Sequence, residues 1–292
     1  MLDKFLEYLH IEKRYSINTI KGYRRDIEDF SEYISSSGSR LTLLEANKKL
    51  VRGFMVFLSE KQLSKRTINR KLSSLRSFYQ FLLKIGEMQV SPLETIDSLK
   101  QYPPKQIPLS LDESQLLLEV LSDPKTDPLE RMIIEVLYQT GMRRAELCSL
   151  RIQDVDFSKQ EFRITGKGNK QRIVPFSASL SSQLFSLISS RSSAGLEEFY
   201  FLNDKGKKLN EKFVYSTVKK YLSLVTSKEK RSPHILRHSF ATHVLGNGAE
   251  ISKVKALLGH SSLASTQVYT DSDIESLKKA YKTSHPRARK EQ

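Results

Sequence analysis

Cysteine is nearly absent from this chain, with one residue, Cys148, in 292. An internal disulfide is therefore excluded, and so is a cysteine-rich zinc site. Cys148 lies in an apolar helical stretch, which predicts a small buried core residue. Long apolar runs are also missing. Stretches such as Leu116–Leu118 and Met132–Ile134 are broken by charge within a few residues. Nothing approaches the roughly 18 consecutive apolar residues of a membrane span. The opening Met1-Leu2-Asp3-Lys4-Phe5 lacks the apolar core of a secretion signal. These absences predict a cytoplasmic protein in a reducing compartment, with no membrane partner. The third shortage is of acid: 33 Asp+Glu stand against 48 Lys+Arg, a net charge of +15.

The positive excess is spread along the chain. Residues 1–100 carry 18 basic and 12 acidic side chains, and the remaining 192 residues carry 30 and 21. A polyanion such as nucleic acid is the partner this predicts. A basic surface that serves only solubility has the same total charge, so charge alone does not separate the two. The length fits two domains with separate cores. A hydrophobic content of 38% and a charged content of 28% fit a folded chain.

Apolar periodicity predicts helices through the first hundred residues. Ile20, Tyr23, Ile27, Phe30 and Ile34 mark one helix face, with Ser16 or Asn18 as its cap. Val51, Phe54, Met55 and Leu58 mark a second helix. Ile68, Leu72, Leu75, Tyr79 and Leu82 mark a third, capped by Ser64 and followed by Gly86. No acid occurs from Lys61 to Lys84, and Lys65, Arg66, Arg70, Lys71 and Arg76 fall between the apolar positions. They predict a basic strip facing DNA phosphates, where the ordinary alternative is a solvated face. Residues 101–108, with three prolines, read as a stiff linker between a domain at 1–100 and a domain at 109–292. In the second domain Ser110 and Glu113 have capping-box spacing, and Pro128 opens a helix that ends near Gly141. Gln160–Thr165, a polar turn and Arg172–Phe176 read as a β-hairpin. Helical patterns follow around Leu180–Ile188, Phe213–Leu224, Ile235–Leu245 and Ile251–Leu258. The fold class is mainly α with a small β-sheet.

Six residues carry potential chemistry: Arg143, Lys167, His234, Arg237, His260 and Tyr269. Taken singly, each has an ordinary reading. His234 and Arg237 share a helix face, Lys167 is a turn residue, and His260 follows a helix end. Taken together they suit a phosphodiester. Arginine forks bind nonbridging phosphate oxygens, and histidine exchanges a proton near neutral pH. Tyrosine can be a covalent nucleophile when a base or positive charge offsets its pKa of about 10. Lysine can protonate a departing oxygen.

The motifs around these residues resemble those of the tyrosine site-specific recombinases, the phage integrase family. Thr140-Gly141-Met142-Arg143-Arg144-Ala145-Glu146-Leu147 resembles the first arginine box, and Gly166-Lys167-Gly168-Asn169-Lys170-Gln171-Arg172 the hairpin lysine motif. His234-Ile235-Leu236-Arg237-His238 resembles the second box, written H-x-L-R-H, and Leu258-Gly259-His260 followed by Tyr269 resembles the final histidine and nucleophile. Met142 and Arg144 depart from the usual pattern without touching the presumed chemistry. Ser16, Thr19, Tyr23, Asp26 and Phe30, with Thr67–Arg76, are similar to the family's core-binding (SAM-like) domain, and His285-Pro286-Arg287-Ala288 to the tails of Xer-type members.

The resemblance implies two domains, a helical core-binding domain and a tyrosine recombinase catalytic domain, acting on double-stranded DNA. It implies Tyr269 as nucleophile, and Arg143, Arg237 and His260 as stabilisers of the phosphate charge. His234 is then the base, or at least orients the phosphate, and Lys167 is the acid. Glu146 and His238 support the site, and His243 is a packed helix residue. The chemistry implied needs no metal, cofactor or ATP. Xer-type members imply a cyclic homo- or heterotetramer on two DNA sites, with an FtsK-type DNA translocase as activator and chromosome dimers as substrate. An integrase of a mobile element has the same chemistry. A DNA-binding protein that does not cut has no use for the complete set of six. Ile274, Leu277 and Tyr281 form an apolar stripe near the chain end, expected to seek a neighbouring subunit.

Overall fold

Serine and asparagine caps set the helix starts of the first unit. Ser16 accepts from the amide of Thr19 (3.3 Å), Asn47 from Leu50 (3.1 Å) and Ser64 from Thr67 (3.2 Å). They open α2 (Ile17–Ser36), α3 (Lys48–Glu60) and α4 (Lys65–Lys84), which follow α1 (Leu2–Ile11). This computed structural model describes residues 1–37, 41–101, 106–166, 171–189, 198–259 and 271–289. The chain divides into two units, Met1–Pro104 and Lys105–Gln292. In the first, α4 packs on the other three helices around Phe5, Phe30, Phe54 and Phe78, all fully buried. Each such ring stabilises the fold by about 1.5–3 kcal/mol through its removal from water. Helix α1 follows the same repeat, with Leu2, Phe5, Leu6 and Leu9 on one face and the last three buried.

The second unit is built on α6 (Pro128–Thr140), which is buried on every side from Met132 to Thr140. Around it lie α5 (Leu111–Ser122), α7 (Arg144–Ser149), α8 (Ala178–Ser189), α9 (Glu211–Val225) and α10 (Pro233–Gly246). The capping box of α5 forms as expected, with Glu113 N donating to Ser110 Oγ (3.0 Å) and Ser110 N to Glu113 Oε2 (2.7 Å). Cys148 is buried. An antiparallel sheet contains β1 (Val155–Asp156), β2 (Glu161–Thr165) and β3 (Gln171–Pro175), with Phe162 opposite Val174 and Ile164 opposite Arg172. The two-residue β1 is too short to leave a periodic signal in the sequence. Among the described residues no helix is long and apolar enough to cross a membrane.

A second apolar cluster lies under α11 (Ile251–Leu258), α12 (Asp271–Ser284) and α13 (Pro286–Arg289). This corrects the expectation for the terminal stripe. Leu277 and Tyr281 are buried with Phe240, Val244 and Leu257 of the same chain, so α12 covers its own core rather than presenting an open face. His285 lies fully buried beyond it, stacked on Tyr281 with ring centres 5.1 Å apart. Burial pushes its imidazole down to about 3. Burial also lowers His243, whose ring bonds Tyr138 Oη (3.1 Å) and Leu109 O (2.9 Å) as a packed helix residue does.

Both histidines are held neutral by the fold and protonate near 6.5 when unfolded. Their contribution to stability is complete above about pH 6.5 and is lost as the pH falls below it, for His285 through about 3. The thermal midpoint should therefore be flat above pH 7 and fall below 6.5. His285→Phe should remove one proton from this dependence, about 1.4 kcal/mol per pH unit. An unchanged slope in that variant counts against a neutral buried His285.

Candidate active site

The first arginine turn is made by a glycine. Helix α6 ends at Gly141 with φ of +60°, and a Cβ there would come within 2.7 Å of Phe240 Cδ1 and 2.8 Å of Leu258 Cδ2. Only glycine permits both the left-handed turn and the close approach. The chain then runs extended through Arg143, which precedes α7. Glu146, in the first turn of α7, reaches back with Oε2 to accept from Arg143 N (2.7 Å) and with Oε1 to accept from Arg143 Nη1 (2.8 Å). The Arg143 side chain is 41% exposed, so a held guanidinium faces solvent.

The second arginine enters from α10. Pro233 stands at its first turn, where the ring presets φ and no amide is missed. One turn on, Arg237 is buried. It donates from Nη1 to Gly141 O (2.6 Å) and from Nη2 to Leu258 O (2.5 Å). It thereby joins the C-terminal ends of α6 and α11, where unpaired carbonyls favour a cation. Burial and the charges of Arg143 and Arg172 push the Arg237 guanidinium down to about 10, still fully charged at neutral pH. His234 lies near the N-terminus of α10, open to solvent on one side. Partial burial lowers its pKa, and the charges of Arg237, Arg144 and Arg143 lower it further. The ring is neutral at pH 7 and able to take a proton.

Arg172, outside the six candidate residues, is a further member of the site. It projects to the same buried face of β3 as Val174, opposite Ile164. Nη1 donates to Glu146 Oε1 (2.9 Å) and Nη2 to Glu146 Oε2 (2.7 Å), a two-pronged pair, while Nε donates to Leu257 O (2.8 Å). Burial alone would raise the Glu146 carboxyl. The hydrogen bonds and charge of Arg172, with Arg143, overcome it and hold the group at about 2. A signal was present in the sequence: period-two alternation places Arg172 at an inward position, where a charge demands a partner.

The structure thus gathers Arg143, Glu146, Arg172, Arg237 and His234. Lys167, His260 and Tyr269 lie outside the described residues. His238 is exposed on α10. Among the described residues no group of three or more His, Cys, Asp or Glu side chains is arranged to hold a metal ion.

A model of the phage integrase family matches residues 108–276, and one of the phage integrase N-terminal SAM-like domain matches residues 2–86. The chain belongs to the phage integrase family, the tyrosine recombinases. It is a site-specific recombinase, an enzyme that cuts and rejoins DNA. It is 38% identical to a tyrosine recombinase XerC of Oceanobacillus iheyensis over 98% of this chain and 96% of that one. It is 37% identical to tyrosine recombinase XerC of Bacillus subtilis over 97% and 95%. In fold it is similar to the XerH site-specific recombinase bound to a palindromic difH substrate (TM-score 0.73, 24% identity, 96% of this chain and 83% of that chain). It is likewise similar to a Tn1549 transposon integrase (TM-score 0.70, 19% identity, 95% and 98%).

The basic helix of this recombinase differs in part from its expected role. Lys71 turns inward and does not face DNA as expected. Its side chain is 6% exposed, and Nζ is bound to Asp29 and, at 3.2 Å, to the fully buried Asp26. The aliphatic face of α4 carries it inward, and only the two carboxylates make that burial tolerable. Arg76 is half-buried and donates to Ile96 O (2.6 Å) and Ser98 Oγ (3.2 Å), pinning the segment after α4. Arg70 pairs with Asp26 and keeps 53% of its side chain exposed, while Lys65 and Arg66 are exposed.

Proposed function

We propose that this recombinase resolves chromosome dimers in the cytoplasm by recombination at dif-like sites. Tyr269, Arg143, Lys167, His234, Arg237 and His260 carry the chemistry. The observation behind the site assignment is the gathering of two guanidinium groups and an imidazole where α6, α10 and α11 meet. Tyr269 Oη attacks the scissile phosphorus, forming a 3′-phosphotyrosyl bond and breaking the bond to the 5′-oxygen. His234 accepts the tyrosine proton, and Lys167 donates one to the departing oxygen. Arg143, Arg237 and His260 hold the charge on the nonbridging oxygens. The phosphotyrosyl bond conserves the energy of the diester, and a 5′-hydroxyl of the second duplex reverses the step. Four strands are cut in a complete exchange, so the assembly is a cyclic tetramer, homo- or heteromeric, with an FtsK-type translocase as activator. The dimer-resolution reading rests on the similarity to the XerC relatives.

The polarity of cleavage tests this. Cutting a nicked dif-like duplex should release a 5′-hydroxyl end, which polynucleotide kinase labels without prior phosphatase treatment. A released 5′-phosphate contradicts the mechanism.

Lys65, Arg66 and Arg70 are the DNA-facing residues of α4 in this reading. Replacing Lys65 and Arg66 with alanine should reduce the slope of log K against log salt by about 2. Lys71→Met should leave that slope unchanged and lower thermal stability instead. Equal slopes for the two variants would remove α4 from the interface.

A further inference from the structure

We propose that Arg172 is a positioning residue, which aims Arg143 at the scissile phosphate through Glu146 and ties the end of α11 to the same point. The proposal rests on the placing of Arg143 in the active site. Arg172 itself is 5% exposed, and three of its N–H groups are committed to Glu146 and Leu257, so it does not reach substrate. What it controls is Glu146. Both carboxylate oxygens accept from Arg172, and each also accepts from Arg143, one from the guanidinium and one from the backbone amide. Glu146 on its own could swing about its side-chain torsions. Clamped from below by a planar fork, it has one orientation, and Arg143 inherits it. An exposed arginine held in this way loses less freedom on meeting a phosphate than an untethered one.

The Nε bond extends the device. Leu257 O is bound by Arg172 and Leu258 O by Arg237, so the two final carbonyls of α11 are each fastened to an arginine. Gly259, at φ of +66°, passes directly over Arg172, where a Cβ would lie 3.0 Å from Cδ. The chain leading to His260 and Tyr269 thus departs from a point fixed by the residue that fixes Arg143. In sequence, Arg172 also stands five residues after Lys167, on strand β3. A purely structural pair at this depth has no need of charge, because apolar side chains of similar volume stabilise a fold as well or better. The fork geometry is what an apolar pair cannot supply.

A rate cycle tests the proposal. Covalent attachment to a nicked dif-like duplex is measured in single turnover at saturating protein for wild type, Arg172→Met, Arg143→Ala and the double variant. Arg172→Met should slow attachment about 10- to 100-fold with unchanged DNA affinity, and should cost little further in the Arg143→Ala background. The same loss in both backgrounds, or no loss in either, overturns the proposal. An Arg143→Ala variant as fast as wild type overturns the site reading, and the proposal with it. If Arg172→Met does not fold, Arg172→Lys decides, because it keeps the charge and loses the fork. It should slow attachment to a similar degree with a thermal midpoint near that of wild type, and a wild-type rate in Arg172→Lys refutes positioning.

Discussion

Replacing Arg237 with alanine slows covalent attachment to DNA by roughly 10²–10³-fold and loosens the second unit as well. The two effects have different origins. The rate loss reflects the missing charge at the nonbridging oxygens in the transition state. The stability loss reflects Gly141 O and Leu258 O, buried acceptors that Arg237 serves at 2.6 and 2.5 Å. Each costs about 1–3 kcal/mol when left without a donor. Arg237→Lys separates the contributions. An ammonium restores charge at one point but cannot bridge two carbonyls in the plane of a fork. The lysine variant should therefore remain almost as slow as alanine. Single-turnover attachment and thermal melting of both variants check this, and a lysine variant at wild-type rate counts against it.

Glu146→Ala should destabilise the fold by about 3–5 kcal/mol, because it strands the buried Arg172 without a partner. Removing both charges is expected to be far milder. Glu146→Leu with Arg172→Met should recover most of the stability while leaving attachment slow, since Arg143 then has nothing to hold it. The pH dependence follows the same carboxylate. Glu146 titrates at about 2 when folded and about 4.5 when unfolded, so its contribution is complete above pH 4.5 and lost as the pH falls through 2. Thermal unfolding of the single and double variants at neutral pH distinguishes a stranded charge from a merely lost contact.

The helices and their caps were legible because caps and apolar stripes are local. Ser16, Ser64, Ser110 and Gly141 act where their spacing placed them. What escaped depends on partners distant in the chain. Lys71 reads as a basic surface residue until Asp26 and Asp29, more than forty positions earlier, are brought against it. Arg76 reads as a phosphate ligand until the chain after α4 folds back on it. The terminal stripe of Leu277 and Tyr281 demanded a covering surface, and periodicity could not say that the surface was the chain's own. In the site, the motifs named Arg143, His234 and Arg237. The linkage through Glu146 and Arg172 needed the strand register that sets Arg172 opposite Ile164 and inward.

Covalent catalysis by Tyr269 leaves a protein–DNA intermediate that can be trapped. A nicked dif-like duplex is incubated in EDTA with the wild-type chain and with Tyr269→Phe, and detergent-resistant protein–DNA complexes are resolved by electrophoresis. A complex should accumulate with wild type and be absent with Tyr269→Phe, while both proteins bind the duplex equally. A complex that persists in Tyr269→Phe, or wild-type cleavage that occurs only with added metal and leaves no complex, would contradict covalent catalysis by Tyr269.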